Sequence, residues 1–231
     1  MDAIVLCGGK GSRLASVVSN VPKPMALVNG RPFVEYVLEK LVACGIVERA
    51  ILASGHLAGH IKDVYPDKYK NMQLVHSCET EPLGTAGAIL LAMKYLSVSK
   101  PFFVLNGDSY IDVDFVALLD TLIKMRVSGA LAIHRVPDVA RFGTVNCKGN
   151  AVTSFSEKSG VNASGTINAG VYAFTYEALS KYIDVEGYLS LEQTVLPELA
   201  ESGCLAALES GTKFVDIGLP ETYAGAQTFS F

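Results

Sequence analysis

A short apolar run that stops at a cluster of glycines constrains this chain from its first residues. Ala3-Ile4-Val5-Leu6-Cys7 leads straight into Gly8-Gly9-Lys10-Gly11-Ser12-Arg13-Leu14, and Pro22-Lys23-Pro24 follows. The apolar run reads as a buried strand. The glycines after it leave backbone N–H groups free and let a phosphate chain come close to the main chain. Arg13 and Lys23 place positive charge beside those amides. The pattern fits a nucleoside triphosphate held largely by backbone, with Leu6, Cys7, Gly8, Gly9, Gly11, Ser12, Arg13 and Lys23 as candidate contacts.

Two better-known glycine motifs do not fit. A Walker A loop carries Lys-Ser or Lys-Thr after its last glycine, whereas Ser12-Arg13 follows Gly11 here. A dinucleotide fingerprint needs a third glycine where Leu14 stands. Glycines alone fit an ordinary tight turn after a strand. The strand context and the two cations point to phosphate.

Composition bounds the remaining classes. A length of 231 residues suits one α/β domain or two small ones, and 50% hydrophobic residues allow a sizeable core. A net charge of −4 without a basic cluster argues against a nucleic-acid partner. Cys7, Cys44, Cys78, Cys147 and Cys204 are scattered and form no C-x-x-C pair, so neither a zinc site nor a disulfide framework is suggested. His56, His60, His76 and His134 show no metal-ligand spacing. The apolar runs are too short for a signal peptide or a membrane span. The expectation is a reduced, cytoplasmic enzyme without a membrane partner.

Strand-like and helix-like segments alternate along the first half. Strands are expected at Ala3–Cys7, Arg49–Ala53, Met72–Val75, Pro101–Leu105 and Ala130–His134. Helices are expected at Phe33–Cys44, His56–Tyr65, Gly84–Leu96 and Phe115–Met125. This rhythm predicts a doubly wound, mostly parallel, Rossmann-like mixed α/β sheet. Ligands of such sheets bind beyond the carboxyl ends of the strands, where the glycine loop and Asn106-Gly107-Asp108 both fall. After residue 140 the texture changes. A hairpin around Lys148-Gly149-Asn150, a strand at Gly170–Phe174, a helix at Leu189–Glu201 and strands at Leu205–Leu208 and Lys213–Val215 read as a small β-rich lid. The chain is thus expected to be a single domain, residues 1–231, with a nucleotide-binding half (1–140) and a sugar-phosphate-binding half (141–231).

Further short elements extend the series: Glu81-Pro82-Leu83-Gly84-Thr85-Ala86-Gly87, Asn106-Gly107-Asp108, Glu157-Lys158, Asn168-Ala169-Gly170 and Asp216-Ile217-Gly218. With the glycine loop and Pro22-Lys23-Pro24, this ordered set resembles the sugar-1-phosphate nucleotidyltransferase (NDP-sugar pyrophosphorylase) family over nearly the whole chain. The resemblance implies a GT-A-like fold, a nucleoside triphosphate and a sugar 1-phosphate as substrates, Mg²⁺ as cofactor, and a homodimer as one assembly to allow for. The Glu-Pro-Leu-Gly-Thr-Ala-Gly run is similar to the guanylyl branch, which implies GTP. Arg141-Phe142-Gly143-Thr144-Val145 and Phe214-Val215-Asp216-Ile217-Gly218-Leu219-Pro220-Glu221 look most like enzymes that act on a heptose 1-phosphate for bacterial surface polysaccharides. Mannose 1-phosphate guanylyltransferases and N-acetylmuramate 1-phosphate uridylyltransferases are close alternatives. A non-catalytic nucleotide-binding regulator on the same fold would be expected to lack Asp108, Asp216 or Lys23, and all three are present.

The resemblance also implies roles. Arg13, Lys23 and Asp108 would be catalytic, with Arg13 at the β- and γ-phosphates and Lys23 at the α-phosphate. Asp108 and Asp216 would hold the metal, though either alone also fits a strand-end turn. Glu81, Gly84 and Thr85 are placed at the base, with Asn106 and Gly107 beside the nucleotide. A carboxylate could accept the N1 and N2 protons of guanine, and Glu81 or Glu79 could supply it. Thr85 equally suits a helix cap. Tyr110, Gly143, Glu157, Lys158, Asn168 and Gly170 are expected at the sugar phosphate. Tyr110 and Phe142 could instead be ordinary packing residues.

Overall fold

In the computed structural model, residues 1–9, 11, 13–18, 20–97, 100–157, 160 and 162–231 are described. In chain order the strands are β1 (Asp2–Leu6), β2 (Leu27–Val28), β3 (Arg31–Pro32), β4 (Arg49–Ser54), β5 (Lys68–Tyr69), β6 (Met72–Cys78), β7 (Phe102–Asn106), β8 (Ser109–Ile111), β9 (Gly129–Val136), β10 (Thr144–Lys148), β11 (Ala151–Ser156), β12 (Gly165–Phe174), β13 (Leu205–Glu209) and β14 (Phe214–Asp216). The helices are α1 (Phe33–Ala43), α2 (Ala58–Val64), α3 (Gly84–Ala92), α4 (Phe115–Met125), α5 (Tyr176–Ser180), α6 (Leu196–Glu201) and α7 (Pro220–Ala226).

Ten strands form one sheet in the order β10-β11-β13-β9-β12-β7-β1-β4-β6-β5. The segment β7-β1-β4-β6 is parallel throughout, as the alternation of strands and helices predicts. Along β1, Ala3 and Val5 face one core while Ile4 faces the other. The first core takes Phe33, Val37 and Leu41 of α1 and Leu118 and Leu122 of α4. The second takes Ala86 and Ile89 of α3 and Leu196 and Leu199 of α6. Burial on both faces is why the strands read as unbroken apolar runs rather than alternating ones.

The second half differs from a separate cap. β12 lies inside the sheet, antiparallel to both β7 and β9, and β13 pairs parallel with β9. No helix among the described residues joins β9 to β12, and without a crossover the chain must return antiparallel. The β10–β11 hairpin continues the same sheet edge, pairing with β12 through Thr144 and Ile167 and with β13 through Ala151 and Ala206. Its Gly149 turn has φ +60°, as expected for the predicted hairpin. No helix among the described residues is long and apolar enough to cross a membrane.

Candidate active site

The carboxyl ends of β1 and β7 open into a cleft of about 490 Å³. Gly9, Gly11, Arg13 and Lys23 come to it from the glycine loop and the proline-flanked turn, and Asn106 and Asp108 from the end of β7. Arg141, Gly143, Glu157, Asn168, Glu192 and Asp216 close it from the second half. A smaller pocket of about 190 Å³ adjoins it, lined by Leu6, Gly8, Gly9, Glu79, Pro82, Gly84, Thr85, Ala88 and Tyr188. A third cavity, about 280 Å³, sits at the amino ends of the strands around Asp2, Arg49 and Phe102. There Arg49 is held by Asp2 at 2.7 Å. That end of a parallel sheet is the wrong one for a ligand.

Two cation–carboxylate pairs organise the larger cleft. Lys23 Nζ donates to Asp108 Oδ2 at 2.7 Å, and Arg141 Nη2 donates to Asp216 Oδ1 at 3.1 Å. The backbone explains why residues so distant in sequence meet. β14 pairs with β8 so that Asp216 lies opposite Ser109, and the Ile217 N–H donates to the Asp108 carbonyl at 3.1 Å. Lys23 opens a short 3₁₀ turn, and its Pro24 ring packs where a side chain on Gly107 would otherwise stand. The Asp216 carboxyl is held above its ordinary range, first by burial and next by the charge of Asp108. The Gly218 N–H, Lys23 and Arg141 oppose that rise. Two carboxylates that repel across one cleft form a donor set suited to a divalent cation. Among the described residues no group of three or more His, Cys, Asp or Glu could hold one. The Asp108 and Asp216 pair is the kind of donor set Mg²⁺ takes, one or two carboxylates with the shell completed by phosphate and water.

Asn168 stands on a bulge of β12, where the register shifts between Asn168 and Tyr172. Its Nδ2 donates to the Tyr172 hydroxyl at 2.6 Å and its Oδ1 accepts from the Gly170 N–H at 3.0 Å. Bulges commonly re-aim a side chain beside a site. Thr85 joins the two halves. Its hydroxyl donates to Glu192 Oε2 at 2.6 Å and accepts from the Leu191 N–H at 2.8 Å. It does not cap its own helix. Phe142 lines the cleft, with the Arg141 guanidinium 5.2 Å from its ring centroid and an edge contact to Phe214.

Several expected contacts are placed elsewhere. Cys7 is fully buried, its N–H bonded to the Ala53 carbonyl, and burial pushes its thiol up to about 12. Its thiol packs in the core, and Cys7 lines neither cavity. Gly107 donates its N–H to the Leu6 carbonyl, and a Cβ there would lie 2.8 Å from that oxygen. Its part is close packing that presents Asp108. Gly170 has φ +77°, and a Cβ on it would run into the Asn106 amide, so it makes room for Asn106 instead of lining the cleft. Tyr110 points away into the core, against Phe229 and Phe231. Gly84 does border the smaller pocket, but its φ of +79° and its contact with the Leu189 backbone show what demands a glycine there. Glu81 is exposed and borders neither cavity. Glu79, the other candidate, lines the smaller pocket and accepts the Leu83 N–H at 3.1 Å. A Cβ on Gly55 would sit 2.6 Å from Glu79 Oε1, so that glycine clears the carboxylate's position. Ser12 and Lys158 lie outside the described residues.

Sequence reading gave no role to Arg141, and it missed Tyr188, Ser190, Glu192 and Gln193, all of which border the cleft. Ser190-Leu191-Glu192 looks like an ordinary helix start, and Ser190 does accept the Gln193 N–H as a cap. The turn Leu191–Val195 is π-helical, which no sequence period announces.

A glycine loop, three cations and two facing carboxylates around one cleft describe a nucleotidyltransferase. Residues 2–230 match the family model described as Nucleotidyl transferase, and the chain belongs to that family. It is 37% identical to the D-glycero-alpha-D-manno-heptose 1-phosphate guanylyltransferase of Campylobacter jejuni, over 96% of this chain and 97% of that protein. With the enzyme of the same description from Aneurinibacillus thermoaerophilus it shares 34% over 98% and 97%. The crystal structure of HddC from Yersinia pseudotuberculosis complexed with GMP-PN superposes with a TM-score of 0.84 at 35% identity, covering 98% of this chain and 97% of that one.

Proposed function

We propose that this protein joins GTP to D-glycero-α-D-manno-heptose 1-phosphate, releasing pyrophosphate and GDP-heptose, with Mg²⁺ as the metal and the cytoplasm as its compartment. The observation that carries the reading is the junction of two cavities at the glycine loop. One holds a carboxylate suited to a guanine edge, and the other holds the cations and carboxylates suited to phosphoryl chemistry. The likeness to heptose guanylyltransferases over the whole chain supports the choice of sugar. The first half then supplies most nucleotide contacts, and residues 141–231 most sugar-phosphate contacts.

The chemistry needs little beyond positioning. The sugar phosphate is already an anionic nucleophile and pyrophosphate an anionic leaving group, so an in-line displacement at the α-phosphorus requires no covalent enzyme intermediate. Asp108 and Asp216 would hold Mg²⁺, which when bound neutralises charge on phosphate oxygens. Arg13 and the amides around Gly9 and Gly11 anchor the leaving phosphates. Lys23 meets the α-phosphate in this reading, where charge grows most in the transition state. Arg141 is the third cation in the cleft, beside Arg13 and Lys23, and suits an oxygen of either phosphate substrate. Glu157 and Asn168 face the sugar.

Glu79 is the base reader in this account. An ionised carboxylate accepts only, so it pairs with the N1 and N2 protons of guanine and repels the lone pairs that uracil offers. Glu79→Gln should lower kcat/KM for GTP by roughly ten- to a hundredfold, the cost of mispairing a polar group that the bound base would cover, and narrow the gap to UTP. Glu81→Gln should stay within about twofold, as an exposed substitution does. Steady-state kinetics on both variants with both nucleotides checks this. Damage from Glu81→Gln with Glu79→Gln unaffected would return the base contact to Glu81.

A further inference from the structure

The loop from Ile183 to Tyr188 is exposed along its whole length, yet its end is pinned. The Leu189 N–H donates to the Leu83 carbonyl at 2.8 Å, and the Leu189 carbonyl accepts from the Ala86 and Gly87 N–H groups at 3.0 and 3.2 Å. These bonds fix the loop's end to the start of α3, the segment that borders the smaller pocket. One residue earlier stands Tyr188, with 69% of its surface exposed, more than any other large apolar or aromatic residue among those described. Gly187 before it has φ +87° and open space around its Cα. Tyr188 lines both cavities, and among the described residues only Gly9 and Thr85 share that position.

An exposed ring at the mouth of a pocket is surface that a ligand can cover. The smaller pocket already offers the base an edge partner in Glu79 and a backbone wall in Gly8 and Gly9. A purine also has two flat faces, and stacking on an aromatic ring is how proteins commonly cover one. Among the described residues that line this pocket, Tyr188 alone carries an aromatic ring. Its fixed neighbour Leu189 holds it in register with the pocket, while Gly187 leaves the tip free to settle.

We propose that Tyr188 is the stacking cover of the base, laying its ring on the purine so that the second half of the chain closes over the nucleotide. The inference rests on the reading of the smaller pocket as the base pocket. Stacking needs the ring and not the hydroxyl, and it needs the base and not the phosphates. It also tolerates any base, whereas Glu79 selects among them.

The test is equilibrium binding by calorimetry, with metal and without sugar phosphate, of GTP, UTP and bare tripolyphosphate to the wild type, Tyr188→Phe and Tyr188→Ala. The ring is exposed, so neither variant should disturb folding. Tyr188→Ala should weaken GTP by roughly five- to a hundredfold, the range for loss of one base–aromatic stack. Tripolyphosphate should be unchanged, and Tyr188→Phe should bind GTP within about twofold of wild type. Equal GTP affinity in Tyr188→Ala and wild type would overturn the proposal, as would an equal loss for tripolyphosphate or a Tyr188→Phe loss as large as that of Tyr188→Ala. Wild type binding UTP more tightly than GTP would overturn the guanine assignment instead. The stacking cover would then be supported by loss of UTP, or overturned by its retention, in Tyr188→Ala.

Discussion

Asp108→Asn should abolish most turnover, by roughly a hundredfold or more, while the protein stays folded. Asp108 presents its carboxylate to the cleft from the end of a buried strand, and it faces Asp216 across the place where phosphates and metal would meet. Asparagine keeps the shape and the backbone bond from Ile217 but removes the charge that binds a hard cation. The lost pair with Lys23 involves side chains 30% and 15% exposed, so its loss should cost between about 1 kcal/mol, as for an exposed pair, and a few kcal/mol, as for a buried one. Turnover at saturating metal, read beside a thermal melt, separates the two effects. Near-normal turnover would show that Asp108 is no metal ligand. A collapsed melting temperature would show that the pair with Lys23 is structural.

Lys23→Ala should lower kcat by roughly a hundred- to a thousandfold, the usual cost of removing one group that meets charge developing in a transition state. KM for the nucleotide should move much less, since the α-phosphate gains its charge only as the reaction proceeds. The lysine is held for this by the 3₁₀ turn between two prolines and by Asp108 at 2.7 Å. The same substitution leaves Asp108 and Asp216 less compensated, so the Asp216 carboxyl should rise further above its ordinary range. If KM alone changed, Lys23 would bind ground and transition states alike and the assigned role would be wrong.

The parts of this structure legible in the sequence are those with strong local causes. β1 stops where the glycines begin, and α4 spans Phe115–Met125 as its apolar spacing dictates, with Asp114 accepting the Ala117 N–H at its start. Asp108, Asp216, Lys23, Glu157 and Asn168 converge on one cleft, as the motif order implies. The errors came from effects that propagate along strands. β6 continues to Cys78 instead of ending at Val75, so Glu79 falls at the carboxyl edge where ligands sit and Glu81 falls out into solvent. Tyr110 is turned into the core by the pleat of β8, opposite Val215, with the C-terminal aromatics closing over it. Gly170 reads as a pocket glycine but serves a bulge, because the crowding that demands it comes from Asn106 on a neighbouring strand. Arg141, Ser190 and Glu192 carry no periodic signal at all. Only the folded sheet brings their loops over the glycine turn.

Pyrophosphate release from each nucleoside triphosphate, with Mg²⁺ and the 1-phosphates of D-glycero-α-D-manno-heptose, mannose and N-acetylmuramate, is the deciding measurement. GTP with the heptose 1-phosphate should give the highest kcat/KM. A kcat/KM for UTP with N-acetylmuramate 1-phosphate equal to or above that value would contradict the proposed function.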